Sequence, residues 1–281
     1  MASRLYILTT AIMAISVSSS CYASPKRIPD KPNANVYISK ALSTARSISD
    51  PFTRIDTLHS IARAQTLVGD YAGVQRTAHV IASSNSEPEI RSSTVGEIGD
   101  DLAWIGQRDS GIAILRSAFR QALTIKEPRS RSLNLWVISR WFESAGDVPD
   151  TLQAVTHITD STVRSRGQAV RAGAYAKAGA FARALFIARA IPEPDIRDMA
   201  LEEIAVIQYK AGATKAGLAT IRSIKQADSA KVMGLTQIAA LQWLAHDRST
   251  SNATTAEAYR AATSISDPRD QVLALDRKSV V

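Results

Sequence analysis

Cysteine is almost missing from this chain: Cys21 is its only one in 281 residues, so no intramolecular disulfide can form. Histidine is scarce too. His59, His79, His157 and His246 lie far apart, and no two show the spacing of a helical metal-ligand pair. No G-x-S-x-G elbow occurs, and the glycines at 212 and 217 lack the Lys-Ser/Thr that completes a phosphate loop. These absences argue against a metal site, a thiol or serine nucleophile and a nucleotide cradle. The expectation is a protein without catalytic residues, cofactor or metal, and hence not an enzyme. Aromatic residues make up only 6% of a chain rich in alanine, which favours close-packed helices over a sheet. The one long apolar run, residues 5–17, is too short to span a bilayer.

That run has another reading. Arg4, the apolar stretch and the small residues ending at Ala23 follow the order of a secretory signal peptide. Cleavage after Ala23 predicts a soluble periplasmic or secreted protein with no transmembrane helix in the mature chain. Cys21 could instead be the lipidated first residue of a bacterial lipoprotein, but Ser18 stands where that signal wants a large aliphatic residue. Without Arg4 the chain keeps 33 basic and 26 acidic residues. The excess favours anionic surfaces weakly, because the charges are interspersed and form no block.

What the sequence does contain is a period. Arg164, Gly179 and Ile191 are followed by Arg197, Gly212 and Ile224 at a shift of 33 residues. Such a period, with two helix-length segments per unit, is the signature of stacked helical hairpins. Arg54 and Gly69, Arg91 and Gly106, and Arg131 and Gly146 repeat the gap, and Lys231 and His246 hold the same places in a sixth copy. Glycine suits a helix end because it accepts the left-handed backbone that reverses the chain. Seven residues before each turn position stands a small residue, Ala62, Gly99, Ser139, Ala172, Ala205 or Ala239, which predicts close helix approach there. The gaps from Gly106 to Ile125 and from His246 to Ile265 are seven residues longer than the usual twelve. Their second helices should run about two turns longer. Residues 24–35, with three prolines, are expected to be a disordered lead-in, and residues 36–281 the helical domain with atypical caps at both ends.

These residues resemble the tetratricopeptide repeat superfamily across most of residues 50–265. The likeness rests on the small mid-helix residues, on the turns Gly69-Asp70, Gly146-Asp147 and Gly179-Ala180, and on Tyr71 and Phe181 with Ala184 opening second helices. The early tryptophan of that family is replaced by Leu58, Val95, Leu135, Gln168, Leu201 and Leu235, so the array is a divergent one. The resemblance implies an all-α, right-handed solenoid of about six helix-turn-helix repeats. It also implies a non-enzymatic scaffold that binds a protein or peptide partner in its concave groove, with a cell-envelope or secretion assembly as one setting.

Carried over by position, the groove would present Asp56, His59 and Arg63, then Asp100 and Trp104, then Trp136, Arg140 and Glu143. Arg166, Lys177, Glu202, Tyr209, Lys210 and Trp243 complete it. Tryptophan and tyrosine beside arginine is a composition typical of binding hot spots, although rings among alanines can also simply fill gaps. The adjacent acid pairs Asp100-Asp101 and Glu202-Glu203 are expected to be solvated on different sides of their helices. The repeated base also follows an acid by four residues, as in Asp50 with Arg54 and Glu127 with Arg131. The plain expectation is helix capping with local pairing. The alternative is that Arg54, Arg91, Arg131, Arg164 and Arg197 form a ladder for an anionic polymer, an envelope polysaccharide more than nucleic acid, none of which is expected in an exported protein.

Overall fold

The computed structural model describes residues 31–225, 229–267 and 271; the proposed signal peptide and the residues after 271 lie outside them. Thirteen α-helices and no strand occur among the described residues. They belong to two compact units, one ending at His79 and the other beginning at Val80.

The first unit holds α1 (Lys31–Ser47), α2 (Pro51–Val68) and most of α3 (Tyr71–Ala82). Helix α1 starts at Lys31, so the last residues of the expected lead-in are helical. Pro32 permits this because proline at a helix start lacks only an N–H that has no intrahelical partner there. Asp50 caps α2 by accepting from the Thr53 amide, Pro51 follows at the first helical position, and Gly69 closes the helix at φ 80°. Ile38 and Ala45 of α1 are buried, as are Ile55, Leu58, Ile61 and Ala62 of α2.

The second unit repeats one plan. Its first helices are α4 (Pro88–Trp104), α6 (Pro128–Ser144), α8 (Ser161–Lys177), α10 (Pro194–Lys210) and α12 (Ser229–Leu244). The matching second helices are α5 (Arg108–Leu123), α7 (Val148–Thr156), α9 (Phe181–Arg189), α11 (Thr214–Arg222) and α13 (Arg248–Thr263). Each first helix packs on its own second helix and on the next first helix. Helices α5 and α13 have 16 residues where α7, α9 and α11 have nine, the seven-residue difference that the spacing predicts.

Turns and crossings follow from named residues. Gly69, Gly106, Gly146, Gly179 and Gly212 all have positive φ, and His246 is the one non-glycine with positive φ among the described residues, at 62°. In three copies the small residue seven before the turn meets another small residue five after it: Gly99 with Gly111, Ala205 with Gly217 and Ala239 with Ser251. A methyl group on Gly111 would lie 2.6 Å from Gly99 O, and one on Gly217 would lie 2.7 Å from Ala205 O. Ser251 uses the same closeness to donate to Ala239 O at 2.9 Å. Around these crossings Leu102, Leu115, Leu135, Ile138, Ile204, Leu235 and Ile238 are fully buried. Each such side chain contributes about 1.5–3 kcal/mol of transfer free energy.

Candidate functional site

The expected groove residues fall in both units. In the first, Asp56 and Arg63 are exposed on α2 and His59 is half-buried. Nearby, Tyr37, Ile38 and Ala41 of α1 and Thr57, Ile61 and Ala64 of α2 line an open, mostly apolar depression.

In the second unit the first helices bring charged side chains together. Glu143 of α6 is almost fully buried and sits between two bases, Arg140 at 3.6 Å and Lys177 of α8 at 3.5 Å. The same two bases reach Glu203 of α10, at 3.8 and 3.9 Å. Gly173 makes the convergence sterically feasible, since a methyl group there would collide with the Glu143 carboxylate and press on that of Glu203. Burial pushes the Glu143 carboxyl up to about 7, the Glu203 charge adds to the effect, and Lys177 and Arg140 oppose it.

The cluster continues to either side. Asp100 of α4 is raised to about 6 by burial and by Asp101, against the pull of Arg140. Glu202 of α10 rises to about 7 through burial and the Glu203 charge, and accepts a hydrogen bond from Gln237 Nε2 of α12 at 3.0 Å. The expectation that both acid pairs are solvated is therefore corrected. Asp101 is exposed, but Asp100 and Glu203 are half-buried and Glu202 is 7% exposed. The first helices press against one another, so neighbouring positions on one helix can face two different partners and both lose water.

The aromatic residues divide. Trp136 lies under the Arg166 guanidinium, 5.0 Å from the ring centre, and is half-buried. Trp104 is 63% exposed and Trp243 45%, the latter with Arg248 of α13 at 4.6 Å. Lys210 is exposed and Tyr209 half-buried at the end of α10. Arg140, Glu143, Lys177 and Glu202 thus join Asp100 in one strip, while Trp243 stands apart with Arg248. Glu203, Gly173 and Gln237 belong to the strip as well. Their signal in the sequence is only a second acid beside Glu202 and a glycine inside a helix.

The repeated bases mostly reach backbone carbonyls five to seven residues before them rather than the acid four residues before. Arg91 donates to Ser84 O at 2.8 Å, to Ser86 O at 2.7 Å and to Gln121 Oε1 at 3.1 Å. Arg131 donates to Ile125 O, Arg164 to Thr159 O, Lys231 to Ile224 O and Arg54, at 3.5 Å, to Ser49 O. These carbonyls lie in the loop just before each base's own helix, mostly past the end of the preceding helix, where cations are favoured. Arg197 differs, pairing with Asp198 at 3.5 Å. The acids act separately: Asp50, Glu127 and Asp160 each accept from amides in the first turn of the following helix. Among the described residues no group of three or more His, Cys, Asp or Glu side chains is placed to hold a metal ion.

No family model matches the chain. No curated protein matches it in sequence. Among solved structures, the crystal structure of Ton1535 from Thermococcus onnurineus NA1 aligns over 88% of this chain and 80% of its own, with 16% identity and a TM-score of 0.41. A likeness at that level carries neither architecture nor function across.

Proposed function

We propose that this chain is an exported, non-enzymatic scaffold, a divergent tetratricopeptide-like right-handed solenoid that takes a protein or peptide partner along its first helices. The observation that carries the reading is Trp104, a large aromatic side chain 63% exposed one turn beyond Asp100 on α4, beside the charged strip. An exposed tryptophan next to ordered charge is costly to leave in water and well suited to anchoring a partner. The recurrence of left-handed turns and small-residue crossings supports the repeat reading. Export rests on the leader sequence, and among the described residues no helix is long and apolar enough to cross a membrane.

Affinity capture from the native envelope, comparing wild type with Trp104→Ala and with Trp243→Ala, tests the proposal. Loss of the same specific partner in the Trp104 variant is expected. An unchanged set of partners in both variants removes the assignment. The anionic-polymer alternative stands lower, because Arg54, Arg91, Arg131 and Arg164 already donate to backbone carbonyls.

A further inference from the structure

Helix α1 is built as a second helix. In register with α13, its Ala41 falls on Ala258 and its Ala45 on Ala262, and Ser47-Ile48-Ser49-Asp50-Pro51 recurs unchanged as Ser264-Ile265-Ser266-Asp267-Pro268. It packs on α2 as α5, α7, α9 and α11 pack on the first helices that follow them. Among the described residues, however, no first helix precedes α1.

The complete pairs show what such a helix covers. Thr254 of α13 and Ile114 of α5 are buried, as are Ala258 and Ala118 one turn further on. Ser92 of α4 donates to Ala118 O at 3.3 Å, so this face lies against the pair's own first helix. Tyr37 and Ala41 hold the same two places in α1, where Tyr37 is 73% exposed and Ala41 only half-buried. Helix α2 borders the same gap from its other side. A methyl group on Gly234 would collide with Ile221 of α11 and lie 2.9 Å from Glu202 Cγ of α10, so both helices of the preceding pair enclose that position. Thr57 has the corresponding position in α2, and with Ser60, Ala64, Tyr37 and Ala41 it lines the open apolar depression. The depression is where a first helix would lie.

The chain itself carries a sequence that fits. Val272, Leu275 and Ser279 follow Asp267 at the spacings at which Ile55, Leu58 and Ala62, all buried, follow Asp50. The Gln271 amide donates to Asp267 O at 2.9 Å, the same first helical bond that Arg54 makes to Asp50 O at 3.0 Å. Ser279 is a small residue at the crossing position, as Ser139 is in α6. Residues 24–30, with Pro25, Pro29 and a single large apolar side chain, Ile28, spell no such pattern.

We infer that residues 268–281 of a second copy of this chain occupy the depression, pairing with α1 and packing on α2 so that one repeat is shared between two chains. The contact is head to tail and joins different surfaces of the two copies, so further copies can add in the same way. Burial of Tyr37, Ala41 and Leu275 drives it, as stacking drives neighbouring repeats within one chain. The inference rests on the repeat plan of the helices and is independent of the groove reading.

Sedimentation equilibrium of the purified protein tests it. The average mass should rise with concentration above that of one chain, and Tyr37→Glu and Leu275→Asp should each weaken association at least about tenfold. Tyr37 is exposed, so its variant keeps the fold, and unchanged circular dichroism checks both. Val272, five residues after Asp267, matches Ser92, five after Glu87, so it should meet Ala41 of the other copy as Ser92 meets Ala118. In a Cys21→Ser background, Ala41→Cys protein mixed with Val272→Cys protein should give a disulfide-linked pair, whereas Asp109→Cys protein mixed with Val272→Cys protein should not. A single-chain mass at every concentration overturns the inference, and so does association that survives both substitutions. A disulfide that forms only when both cysteines are on one chain overturns it too, since the occupant is then the chain's own segment. Each of these results leaves the reading of Trp104 standing, because capture of a partner tests that separately.

Discussion

Thr220 donates its hydroxyl to Gln208 Oε1 at 2.7 Å in the buried space between α10 and α11, and Thr77 donates to Gln65 Oε1 in the same way at 2.8 Å between α2 and α3. The glutamine stands four residues before the turn residue and the threonine eight after it. Gln242 and Thr254 hold these places in the last copy, both buried, but Gln242 Oε1 has no hydrogen-bond partner there.

Two substitutions at this motif should behave oppositely. Thr220→Val leaves Gln208 without its donor and is expected to cost about 1–3 kcal/mol in urea unfolding. Gln242→Leu removes an acceptor that already lacks a partner and should cost about zero or stabilise slightly. Equal losses in both would show that the two sites do not differ as described.

The repeated bases should rank by the carbonyls they reach. Arg91, with three hydrogen bonds of 2.7–3.1 Å, is expected to lose about 2 kcal/mol when replaced by alanine. Arg54, with one contact at 3.5 Å, should change stability by no more than about 0.5 kcal/mol. Denaturant midpoints of the two variants decide the order.

His246 occupies the left-handed backbone that glycine fills in the other copies, at φ 62°. His246→Gly should therefore raise stability by about 1 kcal/mol, while Gly212→Ala, at φ 84°, should lower it by a similar amount. A destabilised His246→Gly protein would point to a contact of the imidazole that outweighs the backbone term.

Stability should also fall as the pH rises from the ordinary carboxylate range to neutrality. Glu143 and Glu202 at about 7 and Asp100 at about 6 lie above their ordinary values. Between the ordinary carboxylate range and about pH 7 the folded chain thus binds more protons than the unfolded one, and stability declines with rising pH through that window. Asp50, Glu127, Asp160 and Asp247 are held low by hydrogen bonds, and Glu257 by Arg222. Their contribution is complete above the ordinary range and is lost as the pH drops below it. The urea midpoint should be higher near about pH 5.5 than near about pH 8, and Glu143→Gln should shrink the difference. A difference that survives unchanged in Glu143→Gln would assign the effect to other groups.

Helices were legible wherever a local rule was sufficient. Asp50-Pro51 and Gly69 mark the ends of α2 through capping and left-handed backbone, which depend only on neighbouring residues. The longer α5 and α13 could likewise be read from spacing alone. The charged strip was legible only in part. Arg140, Glu143 and Lys177 lie on the face that the resemblance selects, but nothing local says that Glu203 reaches across to two of them, because that depends on how closely α6, α8 and α10 approach. The acceptors that Arg91 and Arg131 reach are hidden from the sequence for a related reason. An acid four residues away is visible in sequence, whereas a carbonyl in the loop before the helix is not.

The fixed crossing of small residues has an evolutionary corollary. Because Gly99 meets Gly111 close to the turn, whatever is added at the far end of the second helix leaves that meeting place undisturbed. Duplicated copies can then drift in length by whole turns, as the 16-residue α5 has beside the nine-residue α7, without retuning the joint that folds each pair.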